Sequence, residues 1–145
     1  MEPTWLPCLI DTNGDWDETL QRLYQAFCQD FKNGTLWLDG IRVNWDREIL
    51  PGEKFEEAFW KLITGEDCTI QQRVPEFERA KLLSWCAAIL RNADDPCIIR
   101  WVYREKGRLR SYLWLRELDY VIVLKPVPPD EPRYYFFGDG IPSQP

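Results

Sequence analysis

Residues 97–124 are the segment that most limits how this chain can fold. The segment is filled with Ile, Val, Leu, Trp and Tyr, and turn-forming residues interrupt it only at Glu105-Lys106-Gly107 and near Arg116-Glu117. Such runs, with polar or aromatic residues at alternating positions, are typical of antiparallel strands joined by short turns. The pattern predicts strands at residues 97–104, 108–115 and 118–124, and a last strand at 133–137 beyond a proline-rich linker at 125–129.

The same segment carries most of the positive charge of an acidic chain. Between residues 98 and 116 there are six basic residues and one acid, Glu105, although the whole chain has a net charge of -6. The six are Arg100, Arg104, Lys106, Arg108, Arg110 and Arg116. A local cationic patch on an anionic chain indicates a binding site for a polyanion rather than a general attraction to nucleic acid.

Strand alternation predicts which of these residues share a face of the sheet. In the second strand, one face receives Leu109, Ser111, Leu113 and Leu115, and the other receives Arg108, Arg110, Tyr112 and Trp114. In the first strand, Ile98, Arg100, Val102 and Arg104 alternate with Ile99, Trp101 and Tyr103. We expect antiparallel pairing to place Arg100, Arg104, Arg108 and Arg110 on one face, between aromatic rings.

Helical spacing dominates the chain before residue 97. An amphipathic helix is predicted to begin after Asp15 or Asp17 and to end at Asn33-Gly34. A short hairpin at residues 35–45 turns at Asp39-Gly40. A second helix covers residues 53–63, a polar loop covers 65–74, and a third helix runs from Pro75 to about Arg91.

These elements predict one α+β domain spanning residues 1–145. The N-terminal half, 1–96, is helical, residues 97–137 form an antiparallel meander, and 138–145 form a loose tail. Runs of helices followed by runs of strands favour helices packed on one face of a sheet. We therefore expect about three helices on one face of a curved antiparallel sheet of four to five strands.

Composition excludes several classes of enzyme. The chain has no His, so that Ser-His-Asp triads and His-containing zinc sites are ruled out. Its five Cys lack metal-ligand spacing and are interpreted as free thiols in a reducing compartment, which predicts a cytoplasmic protein. Neither a signal-peptide pattern nor an apolar run near eighteen residues is present, and no glycine-rich phosphate loop occurs. No metal, cofactor or membrane association is expected.

Several short motifs resemble a known group of proteins. They are Trp45-Asp-Arg-Glu-Ile49, Glu57-Ala-Phe-Trp60, Arg79-Ala80 with Trp85, Arg110-Ser-Tyr-Leu-Trp-Leu115 and Asp119-Tyr-Val-Ile-Val-Leu124. Together, over roughly residues 37–124, they are similar to phage- and mobile-element-associated proteins related to the barnase, EndoU, colicin and RelE-like (BECR) nucleases. The resemblance implies a RelE/barnase-like fold whose free face cleaves RNA without a metal, as in a toxin system.

The resemblance also suggests residues for that chemistry. Arg47, Arg79, Arg110 and Tyr112 match the family pattern, whereas Lys61 stands where the pattern has His and the run at 136–140 departs from it. Cleavage by the RNA 2′-OH needs a base, an acid and positive charge on the phosphate. On this hypothesis Lys61 or Lys81 is the base, Arg110 and Arg108 hold the phosphate, and Tyr112 orients it or donates a proton. Further RNA contacts are assigned to Arg100, Arg104 and Trp114.

Other interpretations of the same residues remain open. The arginines can be the solvated face of a hairpin, and the aromatic residues can serve only to pack the sheet. Up to Trp60 there are twelve acids and five bases, so the helical half is expected to repel RNA. The alternative is a catalytically inactive, nuclease-like module that binds a protein, such as an antitoxin or a host factor, in an antidefence or regulatory role.

Overall fold

The computed structural model describes residues 3–64 and 77–142, except for the side chains of Glu105 and of residues 138–142. Helix α1 spans Trp16–Phe27 and continues as a π-helical turn over Cys28–Lys32. Helices α2, α3 and α4 span Glu57–Ile63, Phe77–Ala80 and Trp85–Arg91. The chain is α+β, as predicted. Helix α2 begins later than predicted because Glu56 is still extended, with ψ 151°.

The strands of the described residues form one six-stranded sheet. They are β1 (Leu36–Leu38), β2 (Ile41–Asn44), β3 (Ile98–Glu105), β4 (Arg108–Leu115), β5 (Tyr120–Val127) and β6 (Tyr134–Pro142). Their order is β1-β2-β6-β5-β4-β3, and β2 pairs with β6 in parallel. The sheet is therefore mixed and six-stranded rather than antiparallel with four to five strands. Parallel pairing needs a long connection, and the chain between β2 and β6 contains helices α2–α4 and strands β3–β5.

Two tight turns confirm the predicted hairpins. Asp39 and Gly40 both have positive φ, 54° and 77°, and Lys106 and Gly107 have 51° and 77°. Two consecutive left-handed residues are the geometry that joins antiparallel strands through a two-residue loop. Between β4 and β5 the chain turns through a 3-10 segment, Arg116–Leu118.

The predicted third helix is two short helices. Between α3 and α4 the amides of Leu82, Leu83 and Trp85 each donate to the carbonyl three residues back, as in a tighter 3-10 turn. In a continuous α-helix Leu83 and Trp85 would lie about 200° apart around the axis, yet both are buried. The tight turn lets both reach the core. The predicted loop at 65–74 and Pro75, the predicted start of the third helix, lie outside the described residues.

The C-terminal region is more regular than predicted. Strand β5 extends through the expected linker to Val127, and Pro126 is buried. Strand β6 pairs with β5 as far as Pro142, opposite Tyr120, with an irregularity between Val123 and Leu124. The prediction of a loose tail is therefore wrong for residues 138–142, because their backbone belongs to the sheet; residues 143–145 lie outside the described part.

All the described helices lie on one face of the sheet, which we call the covered face. Phe31 after α1 packs on Phe137 of β6, with ring centroids 5.7 Å apart. In α4, the Cys86 Sγ lies 2.9 Å from the Tyr120 hydroxyl. The core also contains Phe59, Leu62, Ile63, Leu113, Leu115, Ile122 and Leu124. The prediction of helices on one side is confirmed, and the opposite face of the sheet is left without a helix from the described residues.

Candidate functional site

The uncovered side of the sheet, called here the open face, is dominated by β3 and β4. The register sets Trp101 opposite Tyr112, Tyr103 opposite Arg110, and Ile99 opposite Trp114. The face continues onto the other strands, where its residues alternate with buried ones or pair across the sheet with other open-face residues. They are Trp37, Arg42, Val121, Val123, Lys125, Tyr134 and Phe136. It is an aromatic surface with basic residues among the rings.

Its centre is a set of three aromatic side chains. The rings of Trp101 and Tyr112 are stacked, with centroids 5.0 Å apart and planes 4° from parallel. Trp114 meets Trp101 edge to face at 6.2 Å. The indole N–H of Trp114 donates to Asp119 Oδ1 at 3.0 Å, and Asp119 is fixed in the left-handed region after the 3-10 turn. Trp101 nevertheless keeps 40% of its surface exposed.

Basic side chains border these rings. Arg108 is exposed, and Arg110 is half-buried with Nη1 donating to the Leu109 carbonyl at 2.9 Å. Arg42 and Lys125 are exposed farther across the face. Among the strand side chains that the structure describes on this face, none is a carboxylate. The described strand side chains of the open face are therefore basic or uncharged, and the Asp119 carboxylate lies at its margin against Trp114.

Arg100 and Arg104 do not belong to the open face. Arg100 pairs with Leu113 and Arg104 with Leu109, both of which point to the covered side. The prediction that all four arginines share a face is wrong. It treated Glu105-Lys106-Gly107 as the turn, whereas the two-residue turn pairs Glu105 with Arg108. A shift of one residue in register reverses the face of every side chain in a strand.

Arg100 instead joins the two edges of the curled sheet. Its guanidinium binds the carboxylate of Asp39 through both oxygens, with Nη1 to Oδ1 at 3.1 Å, and it lies 3.5 Å from Asp94. The hydrogen bond to Asp39 raises the pKa of Arg100. Because Asp39 lies in the β1–β2 turn at the far edge, the sheet must curl toward its covered face. The open face is consequently the convex side and not a hollow.

The predicted catalytic set is divided between the two sides of the sheet. Lys61 is exposed on α2, and Arg79 is buried in α3. Lys81 pairs with Glu78 at 2.7 Å. These three residues belong to the helical layer on the covered face, whereas Arg110 and Tyr112 lie on the open face. The sheet separates the candidate bases from the candidate phosphate-binding residues. Trp114 and Arg108, which were assigned RNA contacts, do lie beside Tyr112 and Arg110.

A second polar cluster, not predicted from the sequence, joins the first two helices. Glu56 is 4% exposed, and its carboxylate accepts from Tyr24 Oη at 2.8 Å and from Lys32 Nζ at 2.9 Å. Burial raises the pKa of Glu56, but the hydrogen bonds from Lys32 and Tyr24 outweigh it, so that the pKa is lowered overall. The same contacts raise the pKa of Lys32. A lysine held protonated in this way is unsuited to act as a base.

The π-helical turn explains why the spacing gave no sign of this cluster. Tyr24 lies in regular helix and Lys32 in the wider π turn, where the count of residues per turn changes. An α-helical projection of the sequence therefore misplaces Lys32. Glu56 precedes α2 and is brought in only by tertiary packing.

Comparisons of the chain with protein-family models, with curated proteins and with solved structures gave no match. Among the described residues, no group of three or more His, Cys, Asp or Glu side chains is placed to hold a metal ion. No helix in the same part of the chain has the length and apolar character needed to cross a membrane.

Proposed function

We propose that the protein binds single-stranded RNA on the open face of its sheet. The observation that carries the proposal is the Trp101–Tyr112 stack, in which Trp101 is exposed and Tyr112 half-buried, bordered by Arg108 and Arg110. Sheets that bind single strands use the same two elements, which are aromatic rings for the bases and cations for the phosphates. The resemblance of the chain to RNA-cleaving proteins favours RNA as the nucleic acid.

The chemistry of the face fits an unpaired strand better than a duplex. A base can stack on an exposed ring only when it is not stacked within a helix, and each such contact contributes about 1–3 kcal/mol. The guanidinium groups of Arg108 and Arg110 bind phosphate oxygens at the tip of the β3–β4 hairpin. Because the rest of the chain is acidic, we expect the binding to be local and to weaken steeply with salt.

Cleavage is not part of this proposal. Lys61 and Lys81, the candidate bases, lie in the helical layer behind the sheet, so neither can reach an RNA bound over Tyr112. Because neither predicted base lies beside the 2′-OH of such an RNA, the predicted catalytic set does not assemble around a phosphate held by Arg110. A binding module is therefore the better conclusion from the geometry than a nuclease.

The test is fluorescence anisotropy with a labelled single-stranded RNA at low salt. Replacing Trp101 with Ala should weaken binding about tenfold, in line with the loss of one stacked base. Phe77→Ala is the matched control, because Phe77 is a similarly exposed aromatic residue, 48% against 40%, in the helical layer. The control should bind as the wild type does. Equal affinity of the Trp101→Ala variant and the wild type would contradict the proposal.

Absence of RNA binding by the wild type would also contradict it. In that case the exposed rings would be better explained by a protein partner. A pull-down with an acidic protein that depends on Trp101 and not on Phe77 would then support the alternative.

A further inference from the structure

Strand β3 is the outermost strand at one edge of the sheet, and from Trp101 to Arg104 it is exposed on both of its faces. It pairs with β4 along all eight of its residues and has no second neighbour among the described strands. Ile99, Trp101 and Tyr103 are 37%, 40% and 56% exposed on the open face, and Val102 is 60% exposed on the other. A long, apolar edge with unpaired backbone groups is a template for another strand.

Two features that often protect such an edge, proline and a β-bulge, are missing from this one, while Arg104 places an exposed charge near its end. Residues 98–105 contain no proline, and the pairing with β4 runs without a bulge. The arginine nearest the middle, Arg100, is already bound to Asp39. The opposite edge of the sheet differs, since β1 has only three residues.

Charge along this edge favours a second copy of the same chain. The turn before β3 carries Asp94, whose side chain is 97% exposed, and the far end carries Arg104 and Lys106, both exposed. If two β3 strands pair antiparallel, the acidic end of each meets the basic end of the other. Parallel pairing would bring like charges together at both ends. The edge is therefore complementary to itself in the antiparallel orientation.

Two registers pair seven residues of each β3 strand, one with the axis at Trp101 and one with the axis at Val102, and the arginines favour the first. A two-fold axis at Trp101 pairs Arg100 with Val102 and Ile99 with Tyr103. An axis at Val102 would oppose Arg100 and Arg104, and an axis at Arg100 would oppose two copies of that residue. Like charges directly opposite each other destabilise an antiparallel pair. The arrangement with Trp101 on the axis avoids this repulsion.

We propose that the protein forms a two-fold dimer through antiparallel pairing of β3 with β3, centred on Trp101. The two sheets of six then become one continuous sheet, and the two open faces lie side by side. The contact area of paired strands is small beside the standard interface of about 1,600 Å². We therefore expect a reversible dimer with a dissociation constant on the order of micromolar.

A charge swap measured by sedimentation equilibrium without RNA tests the dimer independently of RNA binding. Asp94→Lys and Lys106→Glu each place like charges together at both ends and should weaken the dimer about tenfold. The double variant, Asp94→Lys with Lys106→Glu, should restore most of the wild-type affinity because the charges again alternate. Glu48→Lys is the control, because it makes the same reversal of charge at an exposed residue away from β3. It should leave the dissociation constant of the dimer unchanged.

Two results overturn the proposal. One is a wild-type protein that stays monomeric at a protein concentration of about 1 mM. The other is a double variant no better than the single variants, provided that circular dichroism shows each variant to be folded. A dimer that Glu48→Lys weakens as strongly as Asp94→Lys would likewise place the interface elsewhere and overturn it.

Discussion

The indole of Trp101 lies flat against the phenol ring of Tyr112 across the β3–β4 pair, with the two rings 4° from parallel. Because these residues are directly opposite each other, their side chains stabilise the pairing of the edge strand β3 with β4. Such pairs contribute about 0.5–1.5 kcal/mol beyond the area they bury. The same stack is the centre of the open face, so stability and binding depend on one pair of rings.

Tyr112 separates a role of the ring from a role of the hydroxyl. We expect Tyr112→Phe to keep RNA affinity within about twofold, since stacking needs the ring alone. Tyr112→Ala should weaken binding and lower the free energy of unfolding by about 2–4 kcal/mol, because a half-buried ring is lost. Anisotropy and urea unfolding measure the two effects. If Tyr112→Phe reduces RNA affinity as much as Tyr112→Ala does, the hydroxyl takes part in binding and the stacking role of the ring is wrong.

The bidentate contact between Arg100 and Asp39 should stabilise the curled sheet modestly. Asp39→Asn removes the charge and keeps a residue that tolerates the positive φ of the turn. Because both side chains are partly exposed, we expect a loss of about 0.5–1 kcal/mol in urea unfolding, and a smaller loss at high salt.

The control for this pair is Asp94→Asn. Asp94 is almost fully exposed and 3.5 Å from Arg100, so its removal should change stability by less than Asp39→Asn does. Equal effects of the two substitutions would mean that Arg100 responds to general surface charge and that the contact across the curl adds nothing specific.

Glu56 should make the stability of the protein depend on pH. Its folded-state pKa is lowered, so the stability it contributes is complete above the pKa of an unfolded glutamate, about 4.3, and is lost as the pH falls through the folded-state pKa. Glu56→Gln should lower the unfolding free energy at pH 7 by about 1–3 kcal/mol. The difference between wild type and variant should shrink as the pH falls below about 4.3 and through the lowered folded-state pKa. A difference that is constant with pH would exclude the charge as its cause.

The turns and faces of this protein show what the sequence can and cannot predict. Asp39-Gly40 was recognisable because few dipeptides accept two left-handed residues in succession, whereas the second turn was predicted as Glu105-Lys106-Gly107, one residue longer than the observed Lys106-Gly107. The alternation in β4 was also predicted, since its buried residues are all apolar or small. The face of Arg100 was mispredicted because it depends on whether the turn contains two residues or three. That choice is set by backbone geometry, which composition alone does not fix.

Long-range pairing lay beyond the sequence pattern. Nothing near Ile41 or Tyr134 indicates that β2 and β6 lie side by side, because parallel pairing brings together segments separated by most of the chain. The extension of β6 to Pro142 was missed for a similar reason: Gly138 and Gly140 are poor strand formers, and their pairing with β5 overrides local propensity. Lys61 and Lys81 are separated from Arg110 because the helical layer that carries them packs on the covered face of the sheet.

The central claim is that RNA binds to the open face and not to the helical side. Arg108 and Arg104 test it most directly, since both are exposed, close in the same hairpin, and on opposite faces. We expect Arg108→Ala to weaken single-stranded RNA binding severalfold. The slope of log affinity against log salt concentration should fall by about one, which corresponds to the loss of one phosphate contact. Arg104→Ala should leave both the affinity and the slope unchanged. Equal losses for the two variants, or a larger loss for Arg104→Ala, would contradict the account.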